Sequence, residues 1–78
     1  MATITLDLTG LKCPLPVLHT RKALLRLRTG DRLQVLCSDP MAAVDIPVLV
    51  QSLAMSISDS RNESGALTFL IETTVAAG

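Results

Sequence analysis

Hydrophobic periodicity switches twice within the first 38 residues, and that switch limits the fold more than any other feature. "TITLDL" at residues 3–8 alternates apolar or β-branched with polar side chains, the period of a strand, and Gly10 supplies the turn after it. From Pro14 to Arg28 the spacing becomes helical. At about 100° per residue, Val17, Thr20, Ala23, Leu24 and Leu27 gather on one side, with His19, Lys22 and Arg26 opposite. "TGD" at 29–31 ends the helix, Gly30 suiting the left-handed position beyond its C-terminus, and "RLQVLCS" from residue 32 predicts a buried strand.

"SDP" at 38–40 predicts a second helix start, with Asp39 as N-cap and Pro40 at the first helical position. Pro47 then falls inside that helix and predicts a kink or a restart, in which Asp45 caps a new segment from Ile46 to about Leu53. "MSISDSRN" and "ALTFLIETT" both alternate around the short connection "ESG", which predicts an antiparallel hairpin; residues 76–78 should fray. The order is β-α-β-α-β-β, an α+β fold: a two-layer α/β sandwich with both helices on one sheet face and right-handed crossovers. Residues 1–78 are expected to form one domain, and a chain this short buries only about 60–65% of its unfolded surface, leaving no room for a deep cleft.

Composition removes further classes of function. Phe69 is the only aromatic residue, so a stacking platform for single-stranded bases is excluded. Formal charge is zero, but residues 1–40 carry net +3 and the remainder net −3, an asymmetry that can steer an acidic partner. No secretory signal pattern opens the chain, and "IPVLVQSLAM" is too short and too polar to span a bilayer, which predicts a soluble, cytoplasmic protein. The two cysteines, Cys13 and Cys37, offer neither C-x-x-C spacing nor a disulfide framework.

Cys13 stands immediately before "PLP". With Pro14 as first helical residue, Cys13 becomes the N-cap, its sulfur beside the unpaired N–H groups and the positive end of the helix dipole. That setting, with Lys12 adjacent, favours thiolate. Pro14 and Pro16 lack two of the four orphan donors and stiffen the turn, leaving the Leu15 N–H as donor to the sulfur.

Other chemistries fail on position. A dithiol oxidoreductase needs its second cysteine where Pro16 stands, and Cys37 lies in a strand predicted to be buried, as a small core residue. His19 is the only histidine, about 240° around and roughly 9 Å along the helix from Cys13, too far to be its base; it reads as a surface residue. Cys13, Cys37 and His19 also lack metal-ligand spacing. The residue pattern therefore leaves two readings of Cys13: a structural cap, or an exposed thiol suited to reversible transfer with a partner supplying the remaining groups.

"LD-x-x-GL-K-CPLP" at 6–16, "L-x-x-G" at 27–30, "L-x-V-x-x-x-DP" at 33–40 and "DIP" at 45–47 closely resemble the TusA-like (SirA-type) sulfur-carrier family, in order and spacing across about residues 6–73. The resemblance implies a four-stranded mixed sheet whose last strand is antiparallel to the others. It also implies that Cys13 carries a persulfide, within a motif that includes Gly10, Leu11, Pro14 and Pro16. The implied partners are a sulfur donor, either a cysteine desulfurase or a rhodanese, and an acceptor protein, meeting the chain through Lys12, Leu15, Leu18, Arg21, Lys22 and Arg26. Neither metal nor cofactor is implied. Family pathways include tRNA thiolation, molybdenum cofactor assembly and sulfur oxidation. Two features depart from the pattern: Ser38-Asp39 stands where many members have an acidic pair, and the last strand ends "IETT" where carriers for tRNA thiolation end in basic residues.

Asp39, Pro40, Asp45 and Pro47 are assigned to shaping the second helix. Two competing functions remain. One is a non-catalytic interaction module whose basic first helix binds nucleic acid or a regulator; the other is a redox enzyme pairing Cys13 with Cys37.

Overall fold

The computed structural model describes residues 3–73, so the expected fraying of residues 76–78 lies outside the described residues. Its elements are β1 (Thr3–Leu8), α1 (Leu15–Arg26), β2 (Arg32–Cys37), α2 (Ala42–Ser52), β3 (Ser56–Glu63) and β4 (Ala66–Glu72). The strands form one sheet in the order β1-β2-β4-β3. β1 and β2 are parallel, while β4 runs antiparallel to both β2 and β3. This is the mixed sheet and β-α-β-α-β-β order expected from the sequence.

Strand alternation decides which face is covered. Leu33, Val35 and Cys37 of β2 and Leu67, Phe69 and Ile71 of β4 are buried, and the intervening residues are half-exposed. Onto that face α1 sets Pro16, Thr20 and Leu24, and α2 sets Ala42, Ile46, Leu49 and Val50. The α1 stripe is the one its 3.6-residue spacing predicts: Val17, Ala23 and Leu27 pack at its margins.

Local boundaries depart from expectation in instructive ways. The hairpin turn contracts to Ser64 and Gly65, both at positive φ (52° and 86°), because Glu63 still pairs with Ala66; two such residues form the turn whose twist matches the flanking strands. Gly30 does adopt a left-handed φ of 99°, but α1 ends at Arg26 with Leu27 extended, so Gly30 belongs to the following turn rather than to the helix cap. That turn is closed by the Asp31 N–H to the Arg28 carbonyl at 3.0 Å, and Thr73 Oγ1 lies 2.7 Å from the carbonyls of both Arg28 and Asp31.

α2 runs through Pro47 without a restart, and Asp45 lies in its first turn rather than capping a new segment. The helix begins at Ala42, two residues beyond Pro40, because its entrance is wound tightly. Ala42, Ala43 and Val44 donate to the carbonyls three residues back before Asp45 makes the first four-residue bond, to Met41 at 2.9 Å. Asp39 is therefore not the N-cap it was expected to be: Met41 holds that position without a side-chain cap bond, and Asp39 Oδ1 instead accepts the Met41 N–H at 3.0 Å in the turn before the helix.

Parallel pairing of β1 with β2 places Leu8 opposite Cys37, so both strands end together and both helices start from the same edge of the sandwich. The loops at 9–14 and 38–41 are thereby neighbours.

Candidate functional site

The first loop is built by short-range bonds. Asp7 Oδ1 accepts the Thr9 N–H at 3.0 Å and the Thr9 hydroxyl at 2.7 Å, and the Leu11 N–H reaches back to the Leu8 carbonyl at 3.2 Å. Gly10 takes φ 88°, a conformation in which a side chain is strained, and its N–H donates to Ser38 Oγ at 2.8 Å. Leu11 packs half-buried against the core. These contacts anchor the loop and leave Cys13 exposed.

Cys13 is held from two sides by α2 and the turn before it. Its backbone N–H donates to Asp39 Oδ2 at 2.5 Å, and its thiol donates to Asp45 Oδ2 at 3.5 Å, within the range for a sulfur donor. Residues 10–13 and 38–40 together line a shallow recess of about 370 Å³.

Three expectations about the thiol are corrected. Pro14, not Cys13, is the N-cap of α1, and the peptide bond between them is cis. The Leu15 N–H is taken by the Lys12 carbonyl at 2.9 Å and is not the sulfur's donor. The Cys13 pKa is also raised above its ordinary value rather than lowered. The hydrogen bond to Asp45 is the main cause, followed by partial desolvation and the negative charges of Asp45 and Asp39. The Asp45 carboxylate accepts the S–H hydrogen bond and so favours the protonated thiol. Asp39 shifts the other way: the N–H groups of Met41 and Cys13, and then the charge of Lys12, hold its carboxyl below the usual range.

The remaining sequence candidates divide by position. Lys12, Leu15, Leu18, Arg21, Lys22 and Arg26 are all exposed; Leu15, Leu18, Arg21 and Lys22 share a second shallow recess of about 350 Å³ with His19. Pro14 is exposed, whereas Pro16 is buried and its carbonyl accepts the Thr20 hydroxyl at 2.7 Å. Cys37 is fully buried in β2, as its strand pattern predicts, and both cysteines are free. Burial raises the Cys37 thiol pKa, with a smaller contribution from the charge of Asp39.

Sequence reasoning assigned Asp39 and Asp45 to the second helix and missed that both face Cys13. It also missed the exposed apolar residues Val44 and Val48 of α2 and Met41 just before it. The "DP" and "DIP" spacing marks the two aspartates, but no local pattern reveals which distant backbone they meet. Among the described residues no three metal-ligating side chains converge, and no helix is long and apolar enough to cross a membrane.

The arrangement is a single exposed thiol flanked by carboxylates. Comparison with known proteins agrees with its fold. The profile of the family described as Sulfurtransferase TusA matches residues 4–73. The "Putative sulfur carrier protein" of Neisseria meningitidis serogroup A is 38% identical over 72 residues, covering 92% of this chain and 97% of that one. The sulfur carrier protein TusA of Allochromatium vinosum is 34% identical over 67 residues, covering 86% and 88%. The crystal structure of a SirA-like protein from Desulfitobacterium hafniense superposes with a TM-score of 0.78 at 24% identity, covering 95% of this chain and 99% of that one, which establishes the shared fold. With its profile matched from the first strand to the last, the chain belongs to the TusA family.

Proposed function

We propose that this protein is a sulfur carrier that receives a sulfane sulfur on Cys13 as a persulfide and passes it to an acceptor protein. The observation that carries the reading is the exposure of Cys13 at the end of the sandwich where both helices begin, while Cys37 is sealed in the core. In the loading step the Cys13 sulfur attacks the terminal sulfur of a donor persulfide, R–S–SH. A new S–S bond forms at Cys13, the donor's S–S bond breaks with its electron pair going to the donor sulfur, and the donor leaves as R–SH with the proton that Cys13 gives up. Sulfane is exchanged without an external oxidant or reductant.

The donor in this reading is a cysteine desulfurase or a rhodanese, and the exposed face formed by Lys12, Leu15, Leu18, Arg21, Lys22 and Arg26 meets it or the acceptor. Two unpaired cysteines suit a reducing compartment, so the site of action is the cytoplasm. The test is intact mass after incubation with a cysteine desulfurase and cysteine, or with a rhodanese and thiosulfate. Gain of one reducible sulfur, lost in Cys13→Ser and kept in Cys37→Ser, is expected; no adduct with either donor overturns the reading.

A further inference from the structure

The contact between Cys13 Sγ and Asp45 Oδ2 joins the loop before α1 to the first turn of α2, 32 residues further along the chain. Its chemistry depends on what the sulfur carries. A thiol has a proton to donate; a persulfide is a stronger acid than its parent thiol and is held largely as the anion, Cys–S–S⁻, at neutral pH. The same carboxylate that accepts from the first repels the second. Asp39 adds to the effect from the turn before α2, and Lys12 is the only cation of the recess.

We infer that Asp45 is a positioning residue for sulfur transfer: it holds the empty Cys13 thiol against α2 through the S–H hydrogen bond and releases the sulfur once a sulfane is attached. This rests on the carrier reading for its purpose, though not for its geometry. Two consequences follow from one carboxylate. The empty carrier is kept from indiscriminate nucleophilic reaction, since the thiolate is the reactive form and the latch favours the thiol. The loaded carrier presents its terminal sulfur away from α2, toward an acceptor.

The test compares wild type with Asp45→Asn and Asp45→Ala in the pH profile of Cys13 alkylation by iodoacetamide, read by intact mass. Empty protein and protein loaded with inorganic polysulfide are assayed side by side. In the empty protein both variants should move the profile to lower pH and accelerate alkylation at pH 7.5 by about threefold or more. In the loaded protein, already ionised, the rate should stay within about twofold. A structural role of Asp45 in α2 would lower the melting temperature without moving the pH profile. An empty-protein profile unchanged in both variants overturns the latch, as does equal acceleration of the loaded form. Failure of the carrier reading is distinct, because it appears as wild type that gains no sulfur from any donor while the empty-protein profile still responds to Asp45.

Discussion

The backbone N–H of Cys13 donates to Asp39 Oδ2 at 2.5 Å, and the other oxygen of the same carboxylate takes the Met41 N–H at 3.0 Å. One side chain thus ties the reactive loop to the turn that starts α2. Asp39→Ala removes both bonds and should lower the melting temperature by about 2–6 °C, measured by circular dichroism. It should also broaden the amide resonances of residues 10–13 more than those of β4.

Acid should loosen the same junction. The Asp39 pKa is lowered in the fold, first by the Met41 and Cys13 N–H groups, and that of Asp7 by the Thr9 hydroxyl and N–H. A carboxyl whose folded pKa lies below its unfolded value contributes stability that is full above the unfolded pKa, near 4, and is lost as pH falls through the folded one. Chemical denaturation midpoints should therefore decline below about pH 4, and Asp39→Asn should flatten that decline.

Only one thiol should react in the native state. Cys13 is exposed and Cys37 has 0% accessible surface, so iodoacetamide should label one site per chain until denaturant is added. Cys13 should react more slowly at pH 7 than the same residue in the unfolded protein, because Asp45 favours its protonated form. The linkage sign follows: the raised pKa contributes stability below the unfolded thiol value, lost as pH rises through the folded one.

Thr73 closes the opposite end of the sandwich. It is 1% exposed, and its hydroxyl serves the carbonyls of Arg28 and Asp31 while its N–H donates to Asp31 at 3.1 Å. Thr73→Val keeps the shape and the backbone bond but loses the hydroxyl, which should cost about 1–2 kcal/mol in urea unfolding. Leu24→Ala, at a residue buried to 1%, should cost about 2–5 kcal/mol through the cavity it leaves. Neither should alter the alkylation profile of Cys13.

Charge reversal on the exposed face of α1 tests recognition separately from chemistry. Arg21→Glu with Lys22→Glu should slow sulfur transfer from the donor protein by about tenfold at low salt, with the deficit shrinking as salt is added. Alkylation of Cys13 by a small neutral reagent should be unaffected, since both cations lie on the helix beyond the recess.

Much of this protein is legible from the chain because it is decided locally. Period-two runs make β1, β2 and the hairpin, the spacing of Thr20 and Leu24 makes the buried side of α1, and alternation in β2 buries Cys37. Cys13 is marked by the same local punctuation, a glycine turn before it and two prolines behind it. Its protonation is a different matter. Read locally, the sulfur borders a helix N-terminus and Lys12, and both favour thiolate. In the folded chain the parallel register of Leu8 with Cys37 brings the start of α2 beside it, and residues 26 and 32 positions away supply two carboxylates. Where a thiol stands is a property of short-range pattern; which state it prefers depends on charges within a few ångströms, whose arrival only strand pairing determines.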